Sequence, residues 1–184
     1  MKKIFSILFI LLFIIIGCDN SSGPDSSITS GETTINTLEE NNKFSGFSFA
    51  QGGKIELPNE KNIDPDILLL VLRNEDGDVR GVCFCSSNDK KTGFLLLEQK
   101  NDSAAALNYY NNLIEIPDTN YSNYATLVIV DKYQILAVKT ADDKYGKILI
   151  LNADVYTYPD NPLRCYGEAR FKWMYQPNGS RIFK

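Results

Sequence analysis

Ala169-Arg170-Phe171-Lys172-Trp173-Met174-Tyr175-Gln176 decides how the chain folds. Ala169, Phe171, Trp173 and Tyr175 alternate with Arg170, Lys172, Met174 and Gln176, the two-residue period of a strand with one face in a core. Met174 falls on the polar side and is expected at the surface. Pro177-Asn178-Gly179-Ser180 follows, and Asn-Gly tolerates the positive φ angles of a tight hairpin turn. Arg181 to Phe183 is therefore expected to pair back on the strand.

Upstream, the same reading yields more strands with short connectors. Phe44 to Ala50 turns through Gln51-Gly52-Gly53 into Lys54 to Leu57, and Pro58 to Asp66 reads as a loop. Ile67 to Leu72 is an unbroken apolar run, expected as a strand buried on both faces. Asn74 to Asp78 turns the chain into Val79 to Cys85. Aligning Gly77 with the glycine of a calcium loop puts Leu72 and Cys83 at ligand positions, which excludes that motif. Phe94 to Glu98, Ala125 to Val130, Tyr133 to Thr140 and Lys147 to Asn152 complete the set. One helix is expected over 104–115, capped by Asp102 or Ser103, stopped by Pro117, with Leu107, Tyr110 and Ile114 on one face. Tight connectors favour antiparallel neighbours. The expected fold is a mostly β, antiparallel single domain over 44–184 with one α-helix.

The N-terminus reads differently. Lys2 and Lys3 precede an apolar run, Ile4 to Ile16, too short for the ~20 residues that span a bilayer. A charged start, a short apolar core and a small residue before a cut describe a signal peptide, here 1–17. Ile15-Ile16-Gly17-Cys18 resembles a bacterial lipobox, which implies lipidation of Cys18 and a protein anchored in the cell envelope. Residues 18–43, rich in Ser, Thr, Asn, Gly and Glu, are expected to form a flexible tether. An outer-membrane or surface location is favoured, although Asp19 follows Cys18 as in lipoproteins that some Gram-negative bacteria keep in the inner membrane.

Composition removes several classes of function. The chain of 184 residues has 19 basic and 23 acidic residues. Losing residues 1–17 leaves 17 basic against 23 acidic, a formal charge of −6. An acidic chain without a basic block argues against nucleic acid and against electrostatic docking on anionic lipid. The absence of histidine removes the commonest general base and metal ligand. No phosphate-binding glycine loop or nucleophile elbow is present, and Asp142-Asp143 reads as a solvated turn, so no enzyme is expected. Cys83 and Cys85, two apart on one strand face, are too distant to bridge each other without strain, so at most one pairs with Cys165.

Tyr133-Gln134-Ile135-Leu136 and Lys139 to Ile150 resemble the HmuY family of haem-binding lipoproteins. Phe171 to Ser180 is similar to that family's closing aromatic strand, and Phe47 to Lys54 more faintly to its opening strand. The resemblance implies a lipid-anchored β protein that captures haem as partner of an outer-membrane receptor. The family's paired His or Met ligands have no counterpart here, since Met174 is the only methionine after residue 17.

Two readings follow. In the first, the domain is a binding module for a hydrophobic ligand such as haem, with loop tyrosines Tyr121, Tyr124, Tyr156 and Tyr158 as contacts. In the second, it is a structural or protein-interaction lipoprotein without a small ligand. A tyrosine-lined cavity favours the first, and a flat aromatic patch the second.

Overall fold

A computed structural model describes residues 29–39, 43–87 and 91–183. The expected signal segment 1–17, Cys18 and the expected tether up to residue 28 lie outside the described residues. Two five-stranded antiparallel sheets pack face to face. The first has the order β1(Ser30–Asn36), β10(Asn161–Gln176), β9(Tyr145–Tyr158), β8(Gln134–Lys139), β6(Gly93–Gln99). The second runs β3(Gly53–Leu57), β2(Phe44–Ser48), β4(Ile67–Arg73), β5(Val79–Cys85), β7(Leu127–Val130). Mutual backbone bonds between Phe94 and Ala125, of 2.8 and 2.9 Å, stitch β6 to the start of β7 and close one side of the sandwich.

The alternation in β10 works as the sequence requires. Phe171, Trp173 and Tyr175 point inward and meet Phe47, Phe49 and Phe84 in one aromatic core, with ring centroids about 5 Å apart and mostly edge-to-face. Edge-to-face rings satisfy the aromatic quadrupole as well as burying area.

Residues 30–36 correct the tether reading. They form β1, which pairs along its whole length with β10, from Ser30 opposite Met174 to Asn36 opposite Glu168. An edge strand needs few apolar residues because only one side chain has to enter the core, and here that is Ile35. Gly31 supplies the second requirement. A Cβ there would lie 3.0 Å from the Trp173 indole, so the glycine lets the ring lie against the strand.

The C-terminal tail departs from the hairpin expectation. The turn forms, with Gly179 N–H donating to the Gln176 carbonyl. Ile182 then bridges to Glu115 instead of returning to β10, and Phe183 N–H donates to Ile114 O at 2.7 Å. Tail and helix together cover the outer face of the first sheet. Met174 is consequently half-buried against both clusters there and is not the surface residue its strand parity suggests.

The helix, α1(Ser103–Asn112), is capped by Asp102, whose carboxylate accepts from Ala105 N–H at 2.8 Å. It ends three residues early, and Ala106 and Tyr110 are its buried residues, while Leu107 and Ile114 face solvent. Lys147 on β9 explains the seating. Its buried ammonium donates to the carbonyls of Tyr110 and Leu113, each at 2.8 Å, beneath the helix C-terminus. The negative end of the helix dipole favours a cation there, and the faces of Tyr110 and Phe183 flank it.

Replacing Lys147 by Met should cost about 2–3 kcal/mol in denaturant unfolding, because two buried carbonyls lose a charged donor. Burial holds the Lys147 pKa below 10.5, so the folded chain carries fewer protons than the unfolded one between that lowered value and 10.5. Stability of the wild type relative to K147M should therefore rise with pH through that window. A flat or falling difference would sink this account.

Candidate functional site

Strand β9 outruns its neighbour. β8 pairs with Tyr145 to Leu149 only, whereas β9 and β10 continue together to Tyr158 and Asn161. Tyr156 and Tyr158, read from the sequence as loop tyrosines, thus lie in the far part of a long hairpin. Tyr156 and Thr157, opposite Tyr166 and Cys165, and Tyr158, opposite Asn161, are strand-favouring residues that keep the ladder going beyond the sheet's other members.

Inward and outward faces of this hairpin separate cleanly. Gly167 faces the second sheet, where a Cβ would lie 2.5 Å from Val82. Cys165 has the same parity, and Arg73 Nη2 donates to its sulfur at 2.7 Å. Tyr156 and Tyr166 are register partners on the outward face, stacked with centroids 5.6 Å apart. Tyr158 meets Tyr166 edge-on at 5.5 Å, and the Arg164 guanidinium lies 4.4 Å above the Tyr158 ring. The Tyr158 hydroxyl accepts from Glu39 N–H at 3.2 Å, and Arg164 pairs with the Glu39 carboxylate at 3.5 Å. Next to Arg164, at the turn, Leu163 is 93 % exposed.

Two of the four expected tyrosines come together in this ladder. Tyr124 does not join them. It is buried with Ile116, Ala137 and Phe183 near the tail, and a Cβ on Gly93 would strike it at 2.6 Å. Burial pushes its phenol up to about 12, helped by Tyr145 nearby. Tyr121 opens the short 3₁₀ turn Tyr121–Asn123, and its side chain lies outside the described residues. Tyr166, Arg164 and Leu163 were not singled out from sequence. The only available signal was that Tyr166 would stand opposite Tyr156 once the hairpin register was known.

Within the ladder Tyr156 is exposed, Tyr166 half-buried and Tyr158 buried. Hollows of about 390, 440 and 580 Å³ occur elsewhere, around Lys43 and Lys54, beside α1, and beside the Pro58–Ile63 loop. Tyr156 and Tyr158 line none of these three.

Among the described residues no cluster of three or more Cys, Asp or Glu side chains is arranged to hold a metal. Cys83, Cys85 and Cys165 are all unbridged. Cys83 and Cys85 project from the outer face of the second sheet, on the far side from Cys165, so the considered pairing with Cys165 does not form. No described helix is long and apolar enough to cross a membrane. What the ladder offers chemically is contact: rigid rings with polar tips, a guanidinium fork and an uncovered leucine. In comparisons with known proteins, no family model matches the chain and no curated protein is similar to it.

Proposed function

We propose that this chain is a lipid-anchored lipoprotein of the bacterial envelope, exposed at the outer membrane or cell surface, whose domain docks a partner protein through the β9–β10 hairpin. The observation that carries the reading is the clustering of Arg164, Tyr166 and the exposed Tyr156 around the buried Tyr158 ring, with Leu163, almost wholly exposed, next to Arg164 in the chain. Tyr and Arg are enriched at interface hot spots, and here they stand side by side with an exposed leucine at the hairpin tip. Tyr156 and Tyr158 line none of the three hollows, which supports a macromolecular partner over a small enclosed ligand.

The anchoring part of the proposal rests on Ile15-Ile16-Gly17-Cys18, and the HmuY-like part on the segments that form β8, β9 and β10. Haem capture, the ligand that resemblance implies, is not favoured. Met174 is packed beside α1 and the tail, and the chain has no histidine to join it.

A photo-crosslinking residue in place of Leu163, introduced in intact cells, should yield one discrete protein adduct; the same probe at Lys61 should not. Leu163→Asp should weaken that partner's affinity at least ~10-fold while changing stability by less than about 0.5 kcal/mol, as expected for an exposed side chain. Equal adducts at both positions, or none at 163, would remove the docking role. Protease treatment of intact cells reads the location separately.

A further inference from the structure

The second sheet leaves one aliphatic face open. Ile67 to Leu72 was expected to be buried on both sides, yet Ile67 and Leu69 enter the core while Leu70 is 47 % exposed. Such a face does not specify what covers it. An open strand edge does, because its backbone donors and acceptors are spaced for another strand.

Strand β9 has such an edge. β8 pairs with it only from Tyr145 to Leu149, Tyr133 N–H donates to Ile150 O, and beyond that point its ladder partner among the described residues is β10 alone. The direction of the remaining backbone groups follows from Gly167. Its carbonyl accepts from Thr37 N–H and its N–H donates to Thr37 Oγ1, each at 2.9 Å, so both groups point to the β1 side and away from β9. Gly167 stands opposite Val155, which makes theirs a non-hydrogen-bonded pair, and such pairs alternate along an antiparallel ladder. Ala153, Val155 and Thr157 therefore turn their N–H and C=O groups away from the hairpin. No described strand meets them there. The Val155 N–H, in an exposed position, is taken by the carboxylate of its own neighbour Asp154 at 2.8 Å.

The side chains beside this edge carry charge. Asp154 stands directly opposite Glu168, next to the stacked Tyr156–Tyr166 pair. Like charges in register weaken a ladder, and neither carboxylate has an ion-pair partner among the described residues.

We infer that an extended segment of the docked partner adds to the β9 edge as a further strand, bonding the backbone of Ala153, Val155 and Thr157 and setting a Lys or Arg against Asp154 and Glu168. A carbonyl of the incoming strand replaces Asp154 on the Val155 N–H, and the released carboxylate turns to the cation. A second copy of this chain fits the edge poorly. Two edges pairing over 153–157 would centre on Val155 and make the two Asp154 side chains diagonal neighbours about 7–8 Å apart, each beside its own Glu168. The inference rests on the docking role of the hairpin and names the form of the partner.

The test reads the Leu163 photo-adduct formed by the full chain in intact cells. Thr157→Pro removes one outward N–H but none that enters the β10 ladder, the setting in which an edge strand accepts proline. It should lower the adduct yield about tenfold. Asp154→Lys should lower it by a similar factor of about ten through charge reversal. Both positions are exposed, and melting curves check that the variants fold. In the purified adduct of the unsubstituted edge, the amides of Ala153 and Thr157 should exchange with solvent about tenfold or more slower than in the free chain. A yield indifferent to both substitutions, or free-chain exchange at those amides within the adduct, overturns the added strand and leaves the docking role standing. Absence of any adduct at 163 removes both.

Discussion

Above pH 10 the domain is expected to lose about 3–4 kcal/mol of stability per pH unit and to unfold before pH 12. Three buried phenols cause this. Desolvation raises Tyr110 far above its ordinary value and lifts Tyr124 and Tyr175 to about 12 each. Between pH 10 and those raised values the folded chain keeps protons that the unfolded chain has released. Stability that is fully present below 10 is therefore lost as pH climbs. Cys83 and Cys85, also raised by burial, and Cys85 to about 11, start the decline from pH 9. Lys147 acts in the opposite sense but is a single group against several. A domain stability of ~5–15 kcal/mol does not survive such a slope for long.

Circular dichroism and phenolate absorbance, recorded together against pH, check this. Unfolding and the late phenolate signal should coincide. Tyr124→Phe is the informative variant. Among the described residues its hydroxyl has no hydrogen-bond partner, so removing it should be neutral or slightly stabilising at pH 7 and should raise the alkaline midpoint. Ten tyrosines titrating as one block near pH 10 with the fold intact would contradict the account.

A chain that starts at Phe44, where the sequence reading begins the domain, is expected to fold poorly or not at all. One that starts at Thr29 should fold. Removing β1 strips a seven-residue ladder from β10, exposes the indole of Trp173 on the Gly31 side, and takes Ile35 out of the core. Burying one Ile contributes about 1.5–3 kcal/mol, and each ladder hydrogen bond about 0.5–1.5 kcal/mol net. The loss is on the order of 5 kcal/mol or more, comparable to a whole domain's stability. Asn36 N–H also donates to Ser45 Oγ at 2.8 Å, and that hydroxyl donates back to the Asn36 carbonyl, so β1 helps to hold β2 as well. Equal melting temperatures for the two chains would refute this role.

Elements whose pattern is set by their own side chains were readable from the sequence. The β10 alternation, the Gly52-Gly53 and Gly77 turns, the Asp102 cap and the antiparallel pairing fall in this class. Elements decided by distant partners were not. β1 has one core residue, and its strand character comes from β10, 130 or more residues away. The buried face of α1 is rotated from the Leu107–Ile114 stripe because Ala106 packs closely on the sheet and Lys147 fixes the helix end. Ile67 to Leu72 looked buried on both sides because hydropathy cannot tell a covered face from an uncovered one. The tyrosine ladder was half legible for a similar reason. Tyr156 and Tyr158 were suspected from their composition, but Tyr166 and Arg164 join them only through the register of the hairpin.

The direction of β1 has a mechanical consequence. It runs from Ser30 beside Met174 to Asn36 beside Glu168, toward the hairpin that bears Leu163. A pull between the N-terminal end and that hairpin therefore acts along the strand axis. Loaded lengthwise, the ladder to β10 shears, and its seven register pairs share the tension at once. Peeling from one end would break them singly at much lower force. The strand that completes the sheet is also the part best oriented to carry load.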